Sequence, residues 1–164
     1  FYFAGHGIEI DGRNYLVPTD ALMDDPAALK YDVIDLQEAI DAAAGSSKLS
    51  LVMVDACRDN PFNTQVAGLN RSVSRGLKVI ETDAVSKNQI VSFAAESGQV
   101  AEDGTDKNSP YAKAFSDLVV QPNLEVGKLF RQLSDSVSML TNGRQVPVTR
   151  TRLSSEDMFF AIER

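Results

Sequence analysis

His6 and Cys57 are the only histidine and the only cysteine among 164 residues, and they stand 51 positions apart. A thiol with an ordinary pKa of about 8.5 is mostly protonated at neutral pH; a neighbouring imidazole can take that proton or, once charged, stabilise the thiolate. Hydrolysis of a peptide or ester by such a pair also needs donors for the oxyanion. Gly7 follows His6, and its N–H can approach a substrate carbonyl with no side chain in the way. The backbone N–H of Cys57 is the candidate second donor. Each residue also has a plain structural explanation: a lone cysteine is commonly a small core residue, and a histidine between glycines can fill a turn.

The chemistry therefore depends on whether the fold brings the two together. "FYFA" reads as a buried strand leading to His6, and "IEIDGRNYLVPTD" as two short strands around an Asp11-Gly12 turn, with Pro18 stopping the second. "DVIDLQEAIDAAAG" places Val33, Leu36, Ile40 and Ala43 on one helical face, ended by Gly45. "KLSLVMVDAC" is an apolar run suited to a strand covered on both faces, with Asp55 and Cys57 at its C-terminal end. Residues 58–76 show no consistent period and predict a mobile loop, followed by a buried strand in "NQIVSFAAESG". A helix with Ser109 as cap and Pro110 at its first position comes next, then a helix over 124–139 striped by Val126, Leu129, Phe130, Leu133 and Val137, and a closing strand in "EDMFFAIER". That order predicts one α/β domain over residues 1–164, a mostly parallel sheet with helices on both faces. Sites in such sheets gather at the C-terminal strand edges, and His6 and Cys57 both fall just past strand ends.

Composition bounds the partners. The chain is 43% apolar, enough for a core, and its 16 basic against 23 acidic residues leave a formal charge of −7, which repels nucleic acid and anionic membranes. No stretch approaches the roughly 20 apolar residues of a membrane span, and no basic-then-apolar signal segment opens the chain. One cysteine forms no intrachain disulfide, which leaves the cellular compartment open. One histidine and one cysteine cannot supply a usual zinc site, and "DALMDD" and "EDGTDKNS" lack the ordered ligand spacing of a calcium loop, so no metal or other cofactor is expected.

"YFAGHG" followed by "DACRDNPF" resembles the caspase-like cysteine peptidases, in particular bacterial metacaspases and orthocaspases. Caspases carry a histidine about 50 residues before a Gln-Ala-Cys signature; here the signature position reads Asp55-Ala56-Cys57. The likeness continues through "NYLVPTDA", "SGQVAEDG", "NSPYAKAF" and "GRQVP", nearly the whole chain. The resemblance implies a three-layer α/β/α sandwich, His6 as base and then acid, Cys57 as nucleophile, and the N–H groups of Gly7 and Cys57 as oxyanion hole. In that family two more strands precede the histidine strand. The apolar opening Phe1 to Ala4 is therefore expected to be an interior strand whose neighbour is an N-terminal segment, linked to the chain or held noncovalently after a cut.

Asp55 stands two residues before Cys57, on the same side of a strand. The resemblance makes this a specificity position: aspartate-cleaving caspases carry glutamine there, whereas metacaspase-like members carry an acid and take arginine or lysine. An aspartate should favour a cation; its alternative role is to cap or orient the cysteine loop. Glu96, Glu102 and Asp103 either deepen the negative field or are solvated surface. Loop 58–76 lies where the family has its intersubunit linker, and it and the residues just after it hold Arg71, Arg75 and Lys78, candidate self-processing sites. The expectation is a cysteine endopeptidase cleaving after Arg or Lys. Its rivals are a catalytically silent caspase-like interaction module and a thiol hydrolase of small esters.

Overall fold

Asp11 and Gly12 both take positive φ, 51° and 82°, and so fold β1 (Tyr2–Ile10) back onto β2 (Arg13–Val17) as a tight antiparallel hairpin. From this hairpin the computed structural model builds a mixed sheet. It describes residues 1–21, 29–45, 48–57, 73–74, 77–78, 80, 84–96, 99–104 and 107–163. The remaining elements are α1 (Leu29–Asp32), β3 (Ile34–Asp35), α2 (Leu36–Ala44), β4 (Ser50–Cys57), β5 (Val73–Ser74), β6 (Gln89–Phe93), α3 (Pro110–Val119), α4 (Val126–Leu140) and β7 (Val148–Arg152).

The sheet order is β3-β2-β1-β4-β6-β7, with β5 also against β1. β1, β4 and β6 run parallel, while β2, β3, β5 and β7 pair antiparallel. The expected parallel sheet is thus confined to the three central strands. The hairpin makes β2 antiparallel to β1, and β7 closes the far margin in the same sense.

Alternation on β4 explains the layers. Val52, Val54 and Ala56 pack in one apolar cluster with Leu36 and Ile40 of α2. Met53 packs in the other, with Tyr111, Ala114 and Leu118 of α3 and the stripe Val126, Leu129, Phe130, Leu133 and Val137 of α4. β6 is buried along its whole length. The three-layer α/β/α sandwich is present, and the α4 stripe is core.

Helix starts follow their caps. Asp35 accepts from the N–H groups of Gln37 and Glu38, so α2 begins at Leu36 and Val33 lies outside it. Ser109 caps α3 with Pro110 at the first position, as its sequence predicts.

Three expectations change. Phe1 to Ala4 are not a separate buried strand: β1 runs unbroken through His6, and Phe1 and Tyr2 are 52% and 48% exposed. Among the described residues, β2 pairs β1 only from His6 onward, so Tyr2 to Gly5 carry a ladder on one edge alone. The last strand is not the tail "EDMFFAIER" but Val148–Arg152, where Thr149 meets Ser92 of β6 through their hydroxyls at 3.1 Å. Among the described residues of the tail only Phe159 makes a β-bridge, to Glu125, and Phe160 stacks edge-on against Phe115 of α3. Within the loop expected over 58–76, Val73–Ser74 form β5; the rest of that loop, with Arg71 and Arg75, lies outside the described residues.

Candidate active site

The parallel ladder between β1 and β4 sets Tyr2 opposite Met53, Ala4 opposite Asp55 and His6 opposite Cys57. Adjacent strands lie about 4.8 Å apart, so His6 and Cys57 come to the same edge of the sheet, at the last position that the two strands share. His6 is exposed. It lies within β1 rather than past its end, because the hairpin to β2 continues the strand to Ile10.

Gly7 is buried on the α2 side. A Cβ built there would stand 2.8 Å from both Cγ and Cδ2 of Leu77. Leu77 is held in place through its neighbour: Asn14 donates to the Lys78 carbonyl at 2.9 Å and accepts from the Lys78 N–H at 2.6 Å. Packing therefore requires glycine after His6, independently of any catalytic use. Gly7→Ala is expected to cost about 1–3 kcal/mol through overpacking against the buried Leu77, measured as a lowered midpoint of chemical unfolding.

Asp55 is 8% exposed, and two hydroxyls converge on its Oδ2. Tyr2 donates at 2.9 Å and Ser109 at 2.5 Å. Ser109 Oγ also accepts from the N–H of Ala112 at 3.0 Å, so one hydroxyl caps α3 and holds the carboxylate. Burial pushes the Asp55 carboxyl above its ordinary value of 3.8; the two hydrogen bonds oppose that rise, and the negative charge of Asp103 adds to it. Tyr2 is pushed up in turn by its burial and by the adjacent Asp55.

These groups line a cavity of about 810 Å³ whose walls include Tyr2, Met53, Asp55, Asp103, Ser109 and Phe115. Of the three acids considered for its field, Asp103 lines it, Glu102 is paired with Arg144 at 2.7 Å, and Glu96 is exposed. Among the described residues no group of three or more His, Cys, Asp or Glu is arranged to hold a metal ion. None of the described helices is long and apolar enough to cross a membrane.

The caspase domain family matches residues 1–158 of the chain. The chain belongs to that family. Among curated proteins none matches this caspase domain. Solved structures do: caspase-1 from Spodoptera frugiperda shares 14% identity at a TM-score of 0.56, over 81% of this chain and 56% of that one. The structure titled pro-sf-caspase-1 shares 16% identity over 99% of this chain and 63% of its own, at a TM-score of 0.48. The caspase domain thus spans 56% and 63% of the lengths of these two chains, and at 14% identity the first likeness is one of fold.

Two residues of the caspase domain's cavity were not legible beforehand. Ser109 signals itself only as a helix cap, and Tyr2 only as part of an apolar strand. That Tyr2 reaches Asp55 follows from the β1–β4 register, which sets Ala4 opposite Asp55 and Tyr2 one step earlier on the same face.

Proposed function

We propose that this domain is a metacaspase-like cysteine endopeptidase that cleaves peptide bonds after arginine or lysine. The observation that carries the specificity is Asp55: a buried carboxylate, held by two hydroxyl donors, on the wall of a cavity two residues before the candidate nucleophile. Among the described residues both hydroxyl donors end on Oδ2, and Oδ1 is the oxygen assigned to a guanidinium or ammonium group. Asp103 also lines the cavity, and among the described residues it gives with Asp55 two carboxylates against the one cationic side chain of the lining, Lys107, a balance that disfavours an acidic side chain.

The dyad has these roles. His6 takes the proton from the Cys57 thiol, and the thiolate sulfur attacks the scissile carbonyl carbon. The oxyanion that forms is met by the N–H groups of Gly7 and Cys57. His6 returns the proton to the leaving amine, and the carbon–nitrogen bond breaks to give a thioester. Water, deprotonated by His6, then attacks the thioester, and Cys57 leaves as thiolate. Self-cleavage within 58–76 belongs to the same proposal; intact-mass comparison of the wild-type chain with Cys57→Ala should show cuts after Arg or Lys in the wild type alone.

The test is hydrolysis of fluorogenic peptides ending in Arg, Lys, Asp or Leu by the full-length protein. Turnover confined to Arg and Lys peptides is expected. Preference for Asp overturns the pocket assignment, ester cleavage indifferent to a basic residue favours a small-ester hydrolase, and no turnover with an inert thiol favours a silent interaction module.

A pH dependence follows from the raised Asp55 carboxyl. Its ionised form binds the cation, so KM for Arg peptides should fall as pH rises through a value above 3.8, and Asp55→Asn should lose that step. Stability runs the other way. The folded state favours the protonated acid, so its contribution is fully present below the unfolded value and is lost as pH rises through the raised folded one. Thermal unfolding of wild type and Asp55→Asn across pH 3 to 8 reads the stability effect, with about one titrating group separating the curves, and Arg-peptide kinetics over the same range read the KM effect.

A further inference from the structure

Asp103 sits on the loop after β6, and that loop is fastened by the connection between α4 and β7. The Val146 N–H donates to Gln99 Oε1 at 2.8 Å. The Gln145 amide spans the gap, donating to the Ala94 carbonyl at 2.8 Å and accepting from the Glu102 N–H at 3.0 Å. Arg144 grips the Glu102 carboxylate with two nitrogens, Nε at 2.7 Å and Nη2 at 3.3 Å. Gln145 is fully buried, and its own N–H is fixed by Thr141 Oγ1 at 3.1 Å.

We propose that Arg144 and Gln145 are positioning residues that hold Asp103 on the cavity wall and so set the affinity for the basic side chain of the substrate. This assignment rests on the basic-residue pocket proposed above. The residue after a doubly gripped Glu102 has little freedom, and the ordering cost of presenting Asp103 is met before substrate arrives. A guanidinium fits this task because its planar fork fixes direction as well as charge, which an ammonium does not. Arg144 is exposed and Glu102 half-buried, so the pair stays within reach of solvent and adds little to global stability. Its effect should therefore appear at the cavity rather than in the unfolding midpoint.

The experiment uses agmatine, a guanidinium without a scissile bond, titrated calorimetrically into the full-length protein in a Cys57→Ala background. Kinetics on an Arg peptide in the Cys57 background run beside it. Arg144→Gln and Glu102→Gln are each expected to weaken agmatine binding about tenfold and raise KM by a similar factor, with kcat changed less than about twofold. Arg144→Lys should fall between these and wild type, and the exchanged pair Glu102→Arg with Arg144→Glu should recover most of the affinity. Unfolding midpoints should stay together. Unchanged agmatine affinity in Arg144→Gln overturns the proposal, as does a loss shared equally by kcat and by the rate of Cys57 alkylation, or a parent protein that binds no agmatine. A parent that binds agmatine in an Arg144-dependent way yet cleaves no peptide upholds this inference and overturns the peptidase reading.

Discussion

Cys57→Ala in the full-length protein is expected to lower turnover of Arg and Lys peptides by on the order of 10⁴-fold or more, to the floor of the assay. No other thiol exists in the chain to substitute for it. Binding of a basic ligand should survive, because the substitution leaves Tyr2, Asp55, Asp103 and Ser109 of the cavity wall in place. The backbone ladder that ends at Cys57 is indifferent to its side chain. Progress curves on an Arg peptide, with agmatine binding measured on the same preparation, separate lost chemistry from lost fold. A variant that retains more than a hundredth of wild-type turnover would require another nucleophile and would sink the dyad.

Asp55→Asn is expected to be the second largest change, and to move function and stability in opposite directions. Losing a buried, hydrogen-bonded charge from a charge pair costs roughly 2–5 kcal/mol of binding, or about 30-fold to 4000-fold in kcat/KM for an Arg peptide at roughly 1.4 kcal/mol per tenfold. The same substitution removes a carboxylate whose burial disfavours its charge. Asn keeps an oxygen to accept from Tyr2 and Ser109, so the variant should unfold at a higher temperature than wild type at neutral pH. Such opposition is usual where a site keeps a costly group for function. Steady-state kinetics and thermal unfolding on one preparation read both signs. Lower stability together with unchanged kinetics would identify Asp55 as an orienting residue of the cysteine loop.

How much of this was legible in the sequence depends on the range of the interaction concerned. The caps were local and readable: Ser109-Pro110 opens α3 where its chemistry predicts, and the α4 stripe matches its buried face residue for residue. The Asp11-Gly12 turn was equally plain. The start of α2 was misplaced because Val33 fits the apolar stripe, whereas Asp35 decides the start by taking the helix's first N–H groups. β7 was missed because "VTRTR" is half exposed and carries two arginines; its β-branched residues matter only once β6 lies beside it. At the site, sequence order placed His6 and Cys57 on neighbouring strand edges. What it could not supply was register, which decides that Tyr2 reaches Asp55, or the course of the loop after β6, which turns Glu102 to Arg144. Of the three acids weighed after β6, only the folded loop tells which one lines the cavity.

Among the described residues His6 is the one residue of β1 paired with both β4 and β2, with Cys57 on one side and Val17 on the other. Its main chain is thereby fixed from both flanks, and the spacing between the proposed base and the proposed nucleophile is set by the β1–β4 register. A base carried on a loop could absorb an inserted or deleted residue by rearranging. Here a shift of one residue in β1 would carry the imidazole to the opposite face of the sheet, and with it Tyr2 away from Asp55. The spacing of the proposed dyad and the Tyr2–Asp55 hydrogen bond are thus two readings of a single ruler, and a slip that moves one moves the other.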